Sequence, residues 1–241
     1  MKAVSAPLDR TFFARPAERV ARDLLGAVAV SLIDGVETAG RIVETEAYVG
    51  PHDPASHGAE RVGRTLRNRS MFGPPGIAYV YRSYGVHWCL NVVTDAVDYP
   101  AAVLIRALEP VHGLDIMRRR RFGAPTAPHR SGKSRGEERT SGAAPSVSAL
   151  GSDTQLCSGP GKLTSALGIT SEHDGHPLDL APLVIVRGAT VADDRIGRGP
   201  RIGITRAADW PLRFFVRDNP HVSRNKSSAR LRGRGTSRAP R

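Results

Sequence analysis

The sequence predicts an α+β fold, a single domain with a curved, mostly antiparallel β-sheet flanked by short helices. Three observations support this fold class. The predicted strands outnumber the predicted helices, the strands are joined by short hairpin links, and 40% of the 241 residues are hydrophobic, which is enough to form a sizeable core. Hairpin links favour antiparallel pairing, because parallel strands need a long crossover connection.

The first helix is indicated at residues 16–25, where apolar side chains recur at helical spacing. Pro16 fits the first turn, because backbone N–H groups in that turn have no partner within the helix and proline has no N–H. Gly26 fits the end of the helix. Two further short helices are predicted at 114–121 and 161–167.

The strands begin with a predicted hairpin. A β-rich run at 27–33 is followed by Asp34-Gly35, a dipeptide that favours a tight turn, and the partner strand follows at 38–48. Six later strands are predicted at 77–82, 86–94, 103–108, 183–187, 201–205 and 212–217.

The positive charge is concentrated in two segments. The formal net charge is +12, and residues 118–152 contain eight Lys or Arg with two Glu, while residues 224–241 contain seven Lys or Arg and no acid. Such segments attract polyanions by counterion release, although ordinary solvated segments can have the same composition. We predict a domain at 8–223, interrupted by a disordered basic insertion at about 123–153 and followed by a disordered basic tail at 224–241.

The chain has the composition expected of a reducing compartment. Cys89 and Cys157 are its only cysteines, which excludes a small secreted scaffold held by several disulfides. The best apolar run, 27–33, is too short to span a bilayer, and the first residues have no apolar signal core. We therefore expect a cytoplasmic protein that is neither secreted nor bound to a membrane.

The strand at 38–48 carries the first candidate chemistry. Because side chains alternate along a strand, Ile42, Glu44, Glu46 and Tyr48 are predicted to share one face. Two carboxylates and a tyrosine on one face are either exposed to solvent or functional. The residues alone do not separate Glu44 from Glu46 as the reactive acid.

A tyrosine at a turn is the second candidate feature. Tyr84 and Gly85 lie between two predicted strands, and turns usually carry small polar residues. Tyr84 either folds back onto the protein or acts as a wedge that enters a base stack. Clustered arginines just upstream could contact phosphates or form an ordinary charged loop; they are Arg61, Arg64, Arg67 and Arg69.

These features occur within a longer series of motifs. Besides His57 and Asn91, the motifs are RIVETEAYVGP at 41–51, RNRSMF at 67–72, YVYRSYG at 79–85, LIRALEP at 104–110, LCSGPGKL at 156–163, RIGI at 201–204 and PLRFFVR at 211–217. The series resembles the alkyladenine (3-methyladenine) DNA glycosylases of the vertebrate-type fold, a family with bacterial members. The resemblance covers nearly all of 9–223 apart from the insertion.

The resemblance implies a DNA repair enzyme that flips a damaged purine, alkylated or deaminated, out of duplex DNA and hydrolyses its N-glycosidic bond to leave an abasic site. It implies that Glu46 activates the hydrolytic water. Arg106 would help to hold that water, and the main-chain carbonyl of Ile202 would contact it. No lysine is placed for Schiff-base chemistry, so we predict a monofunctional hydrolase without strand-nicking activity.

The resemblance also implies how the base is bound. Tyr48, His57 and Tyr81 would enclose the flipped base, and Asn91 would exclude normal guanine by crowding its amino group. Tyr84 would fill the gap that the extruded nucleotide leaves.

DNA contacts are implied at Arg64, Thr65 and Met71. One extra residue precedes Arg67 relative to the vertebrate pattern, so Arg61 stays an alternative to Arg64 as the phosphate contact. The implied partner is double-stranded DNA containing damaged purines, bound by a monomer that would be associated with the nucleoid in a bacterium.

No metal and no cofactor are expected, because the eight histidines are scattered and no paired-ligand spacing is present. The alternative function is a non-catalytic nucleic-acid-binding protein whose basic disordered segments do most of the binding. An RNA-modifying enzyme is a third, weaker hypothesis.

Overall fold

The arrangement of strands and helices confirms the predicted α+β fold class. The computed structural model describes residues 6–123 and 152–223. Most of the predicted insertion and the whole predicted tail lie outside the described residues. Within these two ranges, no helix combines the length and the apolar composition that crossing a bilayer requires. The helices are α1 (Arg10–Phe13), α2 (Ala17–Asp23), α3 (Leu114–Phe122) and α4 (Pro160–Leu167).

The strands form one antiparallel sheet with the order β3-β4-β5-β2-β1-β6. β5 pairs along one edge of β2, whereas β1 and β8 pair with successive parts of its other edge, and β7 pairs with β8. The strands are β1 (Val28–Ser31), β2 (Thr38–Tyr48), β3 (Ala78–Ser83), β4 (His87–Thr94), β5 (Ala101–His112), β6 (Leu183–Val186), β7 (Ile196–Gly199) and β8 (Arg213–Val216).

The strand predicted at 201–205 is wrong, and sequence reasoning missed β7, which precedes that segment. The chain leaves the sheet after β7 because Arg201 turns inward and forms a buried ion pair with Asp53. The N–H of Ile202 then donates to the carboxylate of Glu46 and not to a neighbouring strand. Side-chain partners therefore replace the ladder of hydrogen bonds that a strand would need.

Two compensating β-bulges shape the centre of the sheet. Val43 is the extra residue on β2, and Arg106 is the extra residue on β5, so the pairing register is the same on either side of them. Ile42 consequently packs in the main core, whereas strict alternation placed it on the face of Glu46 and Tyr48. Bulges change the direction of side chains, and these two direct Arg106 toward the face of β2 that carries Glu44 and Glu46.

Two apolar clusters support the sheet. The main core includes residues of α2 and α4, which pack on β2, β4 and β5. A smaller cluster forms around Met71, Tyr79 and Ala102, and the rings of Tyr48 and Tyr81 pack against it. The candidate site opens beside this smaller cluster.

Candidate active site

A cavity of about 970 Å³ lies over β2, β3, β4 and β5 and is closed on one side by the segment that follows β7. Its volume is near the upper end of the range for ligand-binding cavities in proteins. Nine of the eleven predicted site residues line it: Glu46, Tyr48, His57, Met71, Tyr81, Tyr84, Asn91, Arg106 and Ile202. Arg64 and Thr65 are not among the lining residues.

Glu46 lies in the wall of the cavity and has no solvent-exposed surface. The N–H of Ile202 donates to its Oε1 atom at 2.7 Å, and the Tyr48 hydroxyl lies 3.2 Å from its Oε2 atom. Nη1 of Arg106 lies 3.3 Å from Oε1. Burial raises the pKa of Tyr48 well above its usual value, so its hydroxyl stays protonated and donates to the carboxylate.

Burial raises the pKa of Glu46 above the usual glutamate value. The Arg106 guanidinium and the N–H of Ile202 act in the opposite direction, while the neighbouring Glu44 carboxylate adds to the increase. The charge of Arg106 thus lowers the pKa of Glu46, but the loss of hydration outweighs it.

Glu44 shares the face of Glu46, as predicted, but its environment is different. Its carboxylate accepts hydrogen bonds from Arg213 Nη1 at 2.7 Å and from the N–H and hydroxyl of Ser223 at 2.8 and 2.9 Å. Glu44 does not line the cavity. The structure therefore distinguishes a carboxylate occupied by internal partners, Glu44, from one that borders the cavity, Glu46.

The aromatic wall of the cavity includes the rings of Tyr48, His57, Tyr79 and Tyr81. The His57 and Tyr81 rings meet edge to face with centroids 4.4 Å apart, and the Tyr79 and Tyr81 centroids are 5.4 Å apart. Nδ1 of His57 lies 3.0 Å from the Tyr79 hydroxyl. Burial lowers the pKa of His57, as does the charge of Arg67, so its imidazole is neutral at pH 7 and one ring nitrogen can accept a hydrogen bond.

A buried cation, the guanidinium of Arg201, restrains the ring of Tyr48. The Arg201 guanidinium lies 4.7 Å from the centroid of the Tyr48 ring. Both side chains of the Arg201–Asp53 ion pair are fully buried, and Arg201 also donates to the carbonyl of Ala47 at 3.0 Å. A cation held over an aromatic ring is attracted to its π face, so this contact restrains the ring that borders the cavity.

Asn91 and Met71 complete the inner surface of the cavity. Nδ2 of Asn91 donates to the main-chain carbonyl of Tyr79 at 3.0 Å, which fixes the orientation of the amide. Both side chains are almost completely buried, with exposures of 3% for Asn91 and 2% for Met71. Any contact that Met71 makes with DNA is therefore with a group inside the cavity.

Tyr84 stands at the rim and is 89% exposed, in the turn between β3 and β4. It does not fold back onto the protein, which was the alternative left open by the sequence. Tyr84 has a φ of 50° and Gly85 a φ of 70°, a left-handed pair that forms a tight turn and leaves the ring projecting.

The remaining predicted DNA-contact residues lie apart from the cavity. Arg64 pairs with Asp98 at 2.9 Å on the surface, and its guanidinium lies 4.8 Å from the Phe72 ring centroid. The N–H and hydroxyl of Thr65 both donate to Asn68 in a local turn. Their DNA contacts stay predictions.

Sequence reasoning assigned no role to three residues that shape the site. Tyr79 lines the cavity and binds His57, and its spacing of two residues from Tyr81 on one strand was the signal that would have found it. Asp53 and Arg201 gave no such signal, because charged residues are usually exposed and these two are separated by 148 positions.

No metal centre is visible in the described ranges, where no three His, Cys, Asp or Glu side chains are grouped as ligands. The cavity-lining residues of these ranges also include no lysine. Independence from metals and cofactors stays a prediction.

Comparisons with known proteins identify the family of the chain. The family model described as methylpurine-DNA glycosylase (MPG) matches residues 11–220. A protein of Rhodopseudomonas palustris (strain HaA2), named "Putative 3-methyladenine DNA glycosylase", is 47% identical over 221 residues, which are 92% of each chain. A protein of the same name from Myxococcus xanthus (strain DK1622) is 42% identical over 226 residues, covering 92% of this chain and 96% of its own. The chain therefore belongs to the methylpurine-DNA glycosylase family.

Proposed function

We propose that this protein excises damaged purines from duplex DNA, by hydrolysing the N-glycosidic bond of a nucleotide that has been flipped into the cavity. As a member of its family it is a DNA repair glycosylase, and an abasic site is the product. The observation that carries the proposal is the buried carboxylate of Glu46 in the wall of an aromatic cavity. A non-catalytic nucleic-acid-binding protein has no need of such a group, because a carboxylate repels the phosphate backbone.

The aromatic wall supports recognition of an extruded purine. Removing a base from the stack costs a few kcal/mol, and the cost is lowest for a damaged base that pairs poorly. Stacking on an aromatic side chain stabilises the bound base by about 1–3 kcal/mol. Tyr48 and Tyr81 offer such surfaces, and the neutral imidazole of His57 offers a hydrogen bond. A cationic alkylated purine gains further from the π faces of these rings.

The environment of Glu46 supports a single-carboxylate mechanism. Cleavage passes through a transition state with oxocarbenium character on the sugar. Ionised Glu46 stabilises that positive charge and accepts a proton from the attacking water. The water oxygen forms the new bond to the anomeric carbon, and the electron pair of the breaking C–N bond leaves with the base. Arg106 and the main chain at Ile202 hold the water and the carboxylate in this arrangement.

The exposed ring of Tyr84 supports a role in base flipping. A ring at the tip of a tight turn can enter the stack and occupy the space of the extruded nucleotide, which slows its return. The exposure of 89% means that the ring loses little contact with the protein when it inserts. Asn91, with its amide fixed inside the cavity, is the proposed group that excludes normal guanine.

Partner and location follow from the same proposal. The partner is double-stranded DNA carrying a damaged purine, and the protein acts on it in the cytoplasm, at the nucleoid in a bacterium. A monomer suffices for the reaction, because one chain contributes every group that the proposed mechanism uses.

Base release from a defined lesion tests the proposal. Duplexes carrying a single hypoxanthine, 3-methyladenine, 7-methylguanine or ethenoadenine would be incubated with excess protein, and the free base quantified by chromatography. We expect release of at least one lesion base and an abasic strand that is cut only after alkali treatment. Tight binding to all duplexes without release would instead support the non-catalytic alternative, and a preference for structured RNA would support the RNA-modifying one.

A further inference from the structure

We propose that Ser223 is a positioning residue of the glycosylase reaction, because its hydroxyl bridges Arg106 and Glu44 and holds the guanidinium in the orientation that faces Glu46. The inference rests on the proposed function and deepens it. It concerns a residue outside every motif that carried the family resemblance.

Ser223 forms three hydrogen bonds within a charged cluster that consists of Glu44, Glu46, Arg106 and Arg213. Its hydroxyl accepts from Arg106 Nε at 3.2 Å and donates to Glu44 Oε1 at 2.9 Å. Its N–H donates to the other carboxylate oxygen, Glu44 Oε2, at 2.8 Å. The serine thus uses its hydroxyl both as acceptor and as donor between two oppositely charged groups.

Arg106 contacts two carboxylates, those of Glu44 and Glu46. Its Nη1 atom lies 3.3 Å from Glu46 Oε1, and its Nε atom lies 3.4 Å from Glu44 Oε1. The side chain is 11% exposed, so the surrounding groups and not solvent determine its orientation. Because the Ser223 hydroxyl occupies Nε, it leaves Nη1 directed at Glu46.

Glu44 is anchored independently of Arg106, which makes it a stable support for Ser223. Arg213 Nη1 donates to Glu44 Oε1 at 2.7 Å from the neighbouring strand β8. The cluster then holds two carboxylates and two guanidinium groups, so its charges balance. Loss of the serine hydroxyl would leave this balance intact but would free Arg106 to pair more closely with Glu44.

The chain that leads to Ser223 is itself held to the sheet. Nδ2 of Asn219 donates to Glu109 Oε2 on β5 at 3.2 Å, and its Oδ1 accepts from the N–H of His221 at 2.9 Å. The N–H of Val222 donates to the Asn219 carbonyl at 3.2 Å. This turn fixes the position of Ser223 next to the Arg106 side chain.

Ser223 does not line the cavity, so it can influence base release only through the groups that do. A structural role alone would change the folding stability, whereas a positioning role changes the rate at which bound substrate is cleaved. These two effects can be measured separately.

The experiment compares wild type with Ser223→Ala, Ser223→Thr and Ser165→Ala in the full chain. Ser165 is the control, because its hydroxyl also donates a hydrogen bond within the protein, to the main-chain carbonyl of Arg120, but lies exposed on α4 and outside the cavity. The single-turnover rate of base release, the affinity for lesion-containing duplex and the thermal unfolding midpoint would be measured for each. We expect Ser223→Ala to lower the rate about tenfold, the kinetic equivalent of one hydrogen bond to a charged group, while affinity stays within about twofold.

Ser223→Thr restores the hydroxyl and is expected to recover most of the rate, and Ser165→Ala should match wild type. A wild-type rate in Ser223→Ala would overturn the inference, and so would equal losses in the alanine and threonine variants. If wild type itself released no base from any lesion, the proposed function would fail first. An active wild type therefore isolates the question of Ser223.

Discussion

The N–H of Ile202 donates a 2.7 Å hydrogen bond to Glu46 Oε1 across 156 positions of the sequence. The preceding residue, Arg201, lies against the ring of Tyr48. One short segment therefore orients both the carboxylate of Glu46 and the Tyr48 ring that lines the cavity. Disturbing its anchor, Asp53, is expected to affect chemistry and base binding together.

Glu46→Gln is expected to lower the single-turnover rate of base release by about a thousandfold or more. The amide keeps the shape of the side chain but cannot accept a proton from water or stabilise positive charge on the sugar. Affinity for the lesion duplex should persist, since the aromatic wall is unchanged. Glu60→Gln, an exposed glutamate outside the cavity, is the control. Normal excision by Glu46→Gln would refute the assignment of the reactive acid.

The pH dependence of base release should report the raised pKa of Glu46. As pH falls through this pKa, the carboxylate is protonated and the rate declines, and the decline begins at a higher pH than for an exposed glutamate. A cationic alkylated purine is the appropriate substrate, because its departure requires no proton of its own. Arg106→Gln removes a charge that favours the ionised form, so the acidic decline should move to still higher pH, besides any general loss of rate. A decline at the pH of an exposed glutamate in wild type would contradict this account.

Tyr84→Ala is expected to weaken binding to lesion duplex by about tenfold, because the stack is no longer filled after the base has rotated out. The thermal unfolding midpoint should stay near that of wild type, as the ring is 89% exposed. Fluorescence of a base analogue opposite the lesion would report flipping directly. Leu180→Ala, 59% exposed and outside the cavity, provides the comparison. Equal affinities for the two variants would argue against a wedge.

Asp53→Asn is expected to destabilise the protein by about 3–5 kcal/mol, because it leaves the guanidinium of Arg201 buried without a counter-charge. The matched change Asp98→Asn breaks an exposed pair with Arg64, whose side chains are 69% and 56% exposed, and should cost less than about 1 kcal/mol. Urea unfolding of both variants measures the difference. Similar losses would show that the buried pair has no special role.

Much of the sheet could be predicted from local patterns. Alternating residues and the Asp34-Gly35 turn located β1 and β2, because these signals depend only on neighbours in the chain. The position of Tyr84 and Gly85 in a turn was also predicted, whereas the exposure of the ring was left open and is decided by the structure. The nine predicted residues that line the cavity owe their identification to the family resemblance, and the residues alone did not separate Glu44 from Glu46.

The parts that escaped prediction depend on contacts between distant segments. The segment at 201–205 has the composition of a strand, yet the pairing of Arg201 with Asp53 draws it out of the sheet. The bulges at Val43 and Arg106 leave no mark in either strand when it is considered alone. Only the two strands together define where the extra residues lie.

These paired bulges constrain how the length of the chain can change over evolution. Val43 has no partner on β5, so deleting it alone would remove the bulge on β2 and leave the bulge at Arg106 uncompensated, which would change the local twist and the direction of the Arg106 side chain. Deleting residues from both strands together would remove both bulges but also remove Arg106 from its place opposite Glu44 and Glu46. Relatives that keep this chemistry should therefore conserve the spacing of both strands even where their residue identities diverge.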